Sequence, residues 1–235
     1  MAAPDQSVVK NRILSILPAK EFARIAPHLE AVGLPQGQFL YPSGGAIDFV
    51  YFVESGFVSI VGVLTSVEPL ELGIIGAEGV AGVAVVLGAE TSFGDAMSQM
   101  SGAALRIPTA TLLLALGRSP VLHAALLRFA HAMHIQVAQT AACNVRHELH
   151  ERLARWLLGA HDRGEGDVLR LTQEFLSMML GVRLSTVTVA LNTLKTGALI
   201  VHDLGRVTVL DRPGLESASC ECYRVVADEY ARLLT

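Results

Sequence analysis

The chain has few cysteines, little aromatic character and no long uninterrupted apolar run. Only three of its 235 residues are cysteines, which is typical of a reducing compartment and excludes a disulfide-built scaffold. The most apolar stretch, residues 121–145, is interrupted by histidine, arginine and glutamine, so it lacks the roughly 20 apolar residues that a membrane span needs. Pro4, Asp5 and Gln6 precede any apolar run, so no signal peptide is expected. We therefore expect a cytoplasmic, soluble chain without a membrane partner.

An excess of positive charge is also absent. The net charge is −4, whereas nucleic-acid-binding domains are usually basic. The segment 170–212 differs from the whole chain in having a small excess of positive charge. Its basic residues are Arg170, Arg183, Lys195, Arg206 and Arg212, and its acidic residues are Glu174, Asp203 and Asp211. This local excess is small, so strong non-specific binding to nucleic acid is not expected.

The N-terminal half is typical of an antiparallel β structure. Short helical turns at 13–28 precede it. From residue 32 to residue 108, short β-branched and aromatic runs at 49–53, 57–61, 70–75 and 103–107 alternate with turn signals such as Pro42-Ser43-Gly44-Gly45 and Ser55-Gly56. Such a pattern predicts a sandwich or barrel of short strands.

A long helix is predicted to follow at 120–146, with Ser119 as N-cap and Pro120 at the first helical position. One line of residues follows alternating spacings of four and three: Leu122, Leu126, Phe129, Met133, Gln136, Thr140 and Cys143. That spacing predicts a seam for a partner helix and hence a homodimer. The alternative is that this face packs only on the chain's own β domain.

Residues 171–194 predict two short helices joined by a tight turn. Apolar residues recur at helical spacing in both halves, Gly181 suits the positive φ that ends the first helix, and Thr172 suits its N-cap. This is the helix-turn-helix pattern, whose second helix can enter the major groove of DNA. A helix at 148–161 precedes it, a two-stranded wing around Asp203-Leu204-Gly205 follows it, and a last helix begins near residue 215.

This order of elements resembles the Crp-Fnr family of bacterial transcription regulators. The stretches that carry the resemblance are LTQE at 171–174, MLGV at 179–182, VTVAL at 187–191 and GRVTVLDR at 205–212. The resemblance implies an α+β fold: a cyclic-nucleotide-binding-like jelly roll at 1–118, a dimerisation helix at 119–147 and a winged helix-turn-helix domain at 148–235. It also implies a homodimer on double-stranded DNA with a palindromic operator, a small-molecule effector of unknown identity, and RNA polymerase as a further partner.

The family's cyclic-nucleotide anchors are missing. Aligning Gly82 with the family glycine puts Val83 at the glutamate, Phe93 at the arginine and Gly94 at the serine of that pocket. Without a cation, burying a cyclic phosphate there is costly, and Arg106 lies too late in the chain. We expect no binding of cyclic AMP or cyclic GMP at these positions. The alternatives are a pocket for a less charged effector and no effector at all.

The reading helix departs from the family at Leu184, where an arginine usually grips guanine. Candidate DNA contacts on this helix and its neighbours are Thr172, Arg183, Leu184, Ser185, Thr186, Thr188, Val189, Asn192 and Arg206. Asn192 could pair with adenine, and Leu184 or Val189 could contact a thymine methyl group. Thr172 and Arg206 are candidate phosphate contacts. The alternative is that these residues form an ordinary solvated helix face.

No cofactor, metal or catalytic site is predicted. His147 and His150 are spaced for one helix face, but zinc needs three or four ligands and the sequence does not complete the set. Cys220 and Cys222 are two apart on a predicted helix and should point in different directions. Cys143 is interpreted as a small buried apolar residue, with redox sensing as the alternative. The sequence thus predicts a DNA-binding regulator rather than an enzyme; the alternative is a sensory or scaffolding protein of the same fold.

Overall fold

A computed structural model describes residues 3–63 and 69–233 of the chain. The N-terminus folds as a 3-10 turn (Gln6–Val8), helices α1 (Arg12–Ser15) and α2 (Ala19–Ile25), and a second 3-10 turn (Ala26–His28). Fully buried Asn11 caps α1 and donates from Nδ2 to the carbonyl oxygens of Val53 (3.0 Å) and Gly79 (2.8 Å). This side chain therefore fixes the first helix to the sheet.

The β domain is one antiparallel hydrogen-bonded network. Its strands are β1 (Glu30–Leu34), β2 (Phe39–Tyr41), β3 (Phe49–Gly62), β4 (Leu70–Ile75), β5 (Val80–Ala81) and β6 (Gly94–Pro108). The main order is β1-β6-β3-β4, with β2 pairing to β6 and β5 to β3. The predicted antiparallel β domain is confirmed, with two long strands holding it together.

Ser55-Gly56 is not the hairpin turn that the sequence suggested. The two runs on either side of it belong to the single strand β3, whose register against β6 shifts at this point. Gly56 has φ +66°, and a Cβ there would lie 2.5 Å from the carbonyl oxygen of Met100. The glycine therefore permits a bulge within a continuous strand.

The long helix α4 (Pro120–Arg146) follows α3 (Thr109–Leu116) and begins as predicted, with the Ser119 hydroxyl accepting from the Leu122 amide at 3.2 Å. The predicted partner seam, however, is buried inside the single chain. The residues concerned are Leu122, Leu126, Phe129, Met133, Gln136, Thr140 and Cys143. They are not a free surface, because the β domain and the last helix cover them.

The C-terminal part contains α5 (Leu149–His161), β7 (Val168–Arg170), α6 (Gln173–Leu180), α7 (Leu184–Thr196), β8 (Ile200–Asp203), β9 (Arg206–Val209), α8 (Arg212–Ala218) and α9 (Cys222–Leu233). The predicted helix pair and wing are confirmed. The wing has a third strand that the sequence did not predict, because β7 pairs with β9.

The single last helix expected from residue 215 is two helices separated at residues 219–221. The second, α9, returns to α4, where the ring of Tyr230 lies 6.3 Å from that of Phe129. This helix therefore packs outside the predicted 148–235 unit and against the long helix. Its burial there explains why Phe129 and its neighbours on α4 are covered.

The β domain and the helix-turn-helix domain share a hydrophobic core. Phe57 and Ile74 of the sheet pack with Trp156, Leu176 and Met179. Among the described residues no single helix is long and apolar enough to cross a membrane; two bent pairs, α3 with α4 and α6 with α7, reach that length and composition only when combined.

Candidate nucleic-acid interface

Helices α6 and α7 meet at 105°, within the range of helix-turn-helix motifs. The turn is a Schellman-type C-cap: the amide of Val182 donates to the carbonyl of Ser177 (3.1 Å) and that of Gly181 to Met178 (3.2 Å). Gly181 has φ +63°, a conformation that a residue with a Cβ adopts only at a cost. The glycine therefore sets the angle at which α7 leaves α6.

The inward face of α7 fixes how the helix sits on the domain. Val187, Ala190, Leu191 and Leu194 are all buried, as the sequence predicted. The Thr172 hydroxyl caps α6 by accepting from the Phe175 amide at 3.1 Å. Helices α6 and α7 therefore form one packed unit.

Thr188 is less available than the sequence suggested. It is half-buried, and its hydroxyl lies 2.6 Å from Oε1 of Gln173 and 3.1 Å from the carbonyl of Leu184. This contact joins the start of α6 to the middle of α7. Sequence reasoning missed Gln173, whose role is visible only once the two helices are packed together.

The outward face of α7 carries the remaining candidates. Arg183, Leu184, Ser185, Thr186, Val189 and Asn192 are all exposed. Leu184 is 42% exposed and Val189 65%, so apolar side chains stand beside hydroxyls, an amide and one guanidinium. Arg183 occupies the N-cap position without a capping hydrogen bond from its side chain, and the guanidinium extends from the start of the helix.

The wing ends in a two-residue turn of type I′. Leu204 and Gly205 have φ values of +46° and +73°, both positive as this turn requires. A leucine there is unusual, since residues with a Cβ avoid this region. Its side chain is 90% exposed, so the wing presents an apolar tip.

Two arginines stand side by side on the wing. Arg170 of β7 and Arg206 of β9 are directly opposed in the sheet register, and both are exposed. Like charges across a strand pair repel one another, so an anion between them would be stabilising. Arg170 was not among the predicted contacts, because β7 was not predicted.

Arg212, which the sequence counted in the local positive charge, is engaged elsewhere. Its guanidinium donates to Asp162 (2.6 Å), Glu216 (3.2 Å) and the hydroxyl of Tyr223 (2.7 Å). It also lies 2.6 Å from Nδ1 of His161. Arg212 thus fastens α8 to α5 and does not face outward.

The helix-turn-helix domain is joined to the sheet by two buried carboxylates. Glu71 of β4 accepts from Nε1 of Trp156 and from the Ser59 hydroxyl, each at 2.6 Å, while burial raises the pKa of this carboxyl group. Glu78 accepts from Nε (2.7 Å) and Nη2 (2.6 Å) of Arg163. A cavity of about 430 Å³ lies at the same junction.

The predicted effector residues have different surroundings in the structure. Gly82 (φ +102°) precedes the 3-10 turn Val83–Leu87. The side chain of Phe93 is 70% exposed. A Cβ at Gly94 would lie 2.7 Å from the carbonyl of Val61, so this position has no room for a serine. Arg106 pairs with Glu30 at 2.8 Å and stacks on Phe49.

The chain is similar to known regulators in sequence over part of its length and in fold over most of it. Residues 151–218 match the model of the Crp-like helix-turn-helix domain. FixK2 from Bradyrhizobium japonicum is 17% identical with a TM-score of 0.70, covering 82% of this chain and 98% of that one. The c-di-GMP-responsive regulator CLP from Xanthomonas campestris is 18% identical with a TM-score of 0.66, covering 82% and 99%.

A third solved structure is TTHA1359, a CRP/FNR-family transcriptional regulator from Thermus thermophilus, which is 21% identical with a TM-score of 0.62 over 81% of this chain and 98% of that one. No curated protein matches the sequence significantly. These likenesses confirm the α+β fold and the helix-turn-helix that the residue patterns indicated. Residues 151–218 are thus similar to Crp-like helix-turn-helix domains, and the chain shares the overall fold of the solved Crp/Fnr-family regulators.

Proposed function

We propose that this protein is a sequence-specific DNA-binding transcription regulator that acts as a homodimer on a palindromic operator. The observation that carries the proposal is the exposed outer face of α7, beside a wing that presents two adjacent arginines. In this arrangement α7 enters the major groove while the wing follows the neighbouring backbone. The alternative, a scaffold that has lost specific recognition, predicts that this face is dispensable.

Roles follow from the chemistry of each exposed group. Asn192 pairs with adenine, and Leu184 and Val189 contact thymine methyl groups. Arg183, Arg170 and Arg206 bind phosphates, which position the protein without reading sequence. The preferred half-site is therefore rich in A·T pairs, unlike one read by an arginine at position 184.

Alanine substitution in α7 tests these roles. Against an operator selected from random duplexes, Asn192→Ala is expected to weaken binding at least tenfold and to relax the preference at one base pair. Arg183→Ala is expected to weaken binding at least tenfold on all sequences and to reduce the slope of log K against log salt by about one. Fluorescence anisotropy over a salt series measures both.

Arg118→Ala is the matched control, because it removes an exposed positive charge in the loop before α4. It should leave operator affinity within about twofold. If Arg183→Ala and Asn192→Ala behave like this control, the reading face is not used, and the scaffold replaces the regulator as the function.

The dimer in this proposal uses the face of α4 opposite the predicted seam. On that side, exposed residues recur at alternating spacings of three and four: Ala124, Leu127, His131, His134, Ala138, Ala141 and Val145. Such a repeat is the coiled-coil pattern. Small residues near the C-terminal end permit close approach of a second copy, and Val145 is 80% exposed in the single chain.

Placing a charge on this stripe should separate the subunits. Ala141 is exposed in the single chain, so a monomer of the Ala141→Glu variant should unfold at nearly the same temperature as a wild-type monomer. In a symmetric dimer, however, the substitution would bury two carboxylates at the interface. We expect the variant to sediment as a monomer where the wild type is a dimer. Ala110→Glu, at an exposed position of α3, should remain dimeric; equal behaviour of the two variants would contradict this interface.

The effector in this proposal is not cyclic AMP or cyclic GMP. Three observations support this absence of cyclic-nucleotide binding. Val83, Phe93 and Gly94 carry no charge, Phe93 is exposed, and Arg106 is already paired with Glu30. A buried cyclic phosphate would have no cation there to offset its desolvation. Catalysis is not part of the proposal.

A further inference from the structure

All three cysteines of the chain meet in one place. Cys143 near the end of α4, Cys220 in the α8–α9 linker and Cys222 at the start of α9 form a buried cluster of their own. His147, just after α4, joins them, and the four ligand atoms all lie within 4.8 Å of one another. The expectation that Cys220 and Cys222 point in different directions is wrong, because the helix is interrupted between residues 218 and 222 and the two side chains converge.

We propose that Cys143, His147, Cys220 and Cys222 bind a single zinc ion. Three cysteines and one histidine are a recognised set for a closed, tetrahedral structural zinc site. Tetrahedral ligands with bonds of about 2.0–2.3 Å lie about 3.5–3.8 Å from one another. The sulfurs of Cys143 and Cys220 are 3.5 Å apart, and Sγ of Cys222 is 3.4 Å from Nδ1 of His147.

The spacing favours one ion over an iron–sulfur cluster. In such a cluster the protein ligands are divided between at least two iron atoms, which places some of them further apart than the 4.8 Å within which all four ligand atoms lie here. Zinc also suits the mixture of thiolate and imidazole ligands. The site is therefore assigned to a mononuclear thiolate-preferring ion.

Surrounding groups support the four ligands as they support zinc in metalloproteins. Nε2 of His147 lies 3.3 Å from Oε2 of Glu221, the carboxylate–histidine–metal arrangement that fixes ring orientation. Nε2 of Gln139 donates to Sγ of Cys222 at 3.1 Å. The Nε atoms of Arg152 and Arg155 are buried without a hydrogen-bond partner among the described residues, and both guanidiniums interact electrostatically with Cys143. They offset the net negative charge of three thiolates around a divalent ion.

The ion would link segments that the backbone leaves separate. Cys143 lies in the last turn of α4 and His147 directly follows that helix, whereas Cys220 and Cys222 follow α8 of the helix-turn-helix domain. Cys222 also lines the cavity of about 430 Å³ at the domain junction, which gives an ion a route to the site. Bound zinc would hold the end of the long helix to the linker that leaves the DNA-binding domain.

Cobalt titration of the reduced full-length protein tests the proposal, with Co²⁺ as the spectroscopic probe for zinc. We expect one Co²⁺ per chain, with the visible bands of a tetrahedral ion and thiolate-to-cobalt charge transfer, and loss of both when Zn²⁺ is added. Cys222→Ser should weaken binding at least 100-fold and His147→Gln at least tenfold. His150→Gln, one turn away and outside the cluster, should bind as the wild type does.

The wild-type titration decides the question even where a variant fails to fold. Absence of tetrahedral cobalt bands in reduced protein, or a Cys143–Cys220 disulfide that persists under mild reduction, would overturn the zinc site in favour of a redox pair. Finding iron together with inorganic sulfide in the purified protein would overturn the zinc site in favour of an iron–sulfur cluster. A second readout is heat: saturating zinc should raise the Tm of the wild type and of His150→Gln by about 5–10 °C, and that of Cys222→Ser by much less.

Discussion

Replacing Glu78 with glutamine is expected to lower the free energy of unfolding by about 3–5 kcal/mol, because it removes the charge with which the largely buried guanidinium of Arg163 is paired. The side chain of Glu78 is only 12% exposed and that of Arg163 only 11%, and Oε1 of Glu78 lies 2.6 Å from Nη2 of Arg163. The Arg163 guanidinium also donates to the carbonyl of Gly159 (2.9 Å) and lies 5.8 Å from the centre of the Tyr230 ring. Glutamine preserves the shape of the side chain and one hydrogen-bond acceptor, so the loss of unfolding free energy measures the effect of removing the charge.

Denaturant unfolding at fixed protein concentration measures this effect. Glu165→Gln is the matched control, because Glu165 pairs with Lys10 at 3.7 Å where both side chains are mostly exposed; such a pair contributes at most about 1 kcal/mol. A Glu78→Gln variant that unfolds like Glu165→Gln would show that the Glu78–Arg163 pair does not hold the helix-turn-helix domain to the sheet. We expect the operator affinity of Glu78→Gln to change as well, since Arg163 lies two residues beyond the end of α5.

Phe129→Ala is the second substitution with a large expected effect, also about 3–5 kcal/mol of unfolding free energy. The ring is fully buried between the sheet and α9. A Cβ placed on Gly79 would lie only 2.1 Å from it, so the glycine and the ring fit each other closely. Truncation leaves a cavity that a backbone turn and a helix cannot readily fill.

The same substitution separates the two interpretations of α4. If Phe129 belongs to the chain's own core, the Phe129→Ala variant unfolds more easily at every protein concentration. The control is Leu114→Ala on α3, where the side chain is 68% exposed; it should change the free energy of unfolding by less than about 0.5 kcal/mol. If Phe129 instead lay at a subunit seam, dimerisation would weaken and the monomer would be nearly unaffected. That second result would overturn the burial described above.

Local signals in the sequence were sufficient for the helix-turn-helix. The apolar repeat of α7, the Thr172 cap and Gly181 act within a few residues of one another, so the chain itself specifies where each helix begins, ends and turns. The same holds for Ser119 at the start of α4. The wing turn was equally legible from Leu204-Gly205, although its third strand was not, because β7 is only three residues long.

Long-range packing decided the rest. Helix α4 carries two stripes with similar spacing, and periodicity does not say which of them the chain covers itself. The stripe with the larger side chains, Leu126, Phe129 and Met133 among them, is buried within the chain, since burying more apolar area stabilises the fold more. The stripe of alanines and histidines stays exposed, and it is the face on which we propose that a second copy packs.

Gly56 and the cysteine cluster show the same division. A glycine after a serine reads locally as a turn, yet here it forms a bulge because β6 runs past it without interruption. The cysteines at 143 and 220 are 77 residues apart, and the histidine lies beyond the end of α4. The sequence by itself determined the helices, their caps and the outward face of α7, since these depend on neighbours along the chain. Only the tertiary structure decided which face of α4 is free, what holds the two domains together and where the three cysteines and His147 meet, because those depend on neighbours in space.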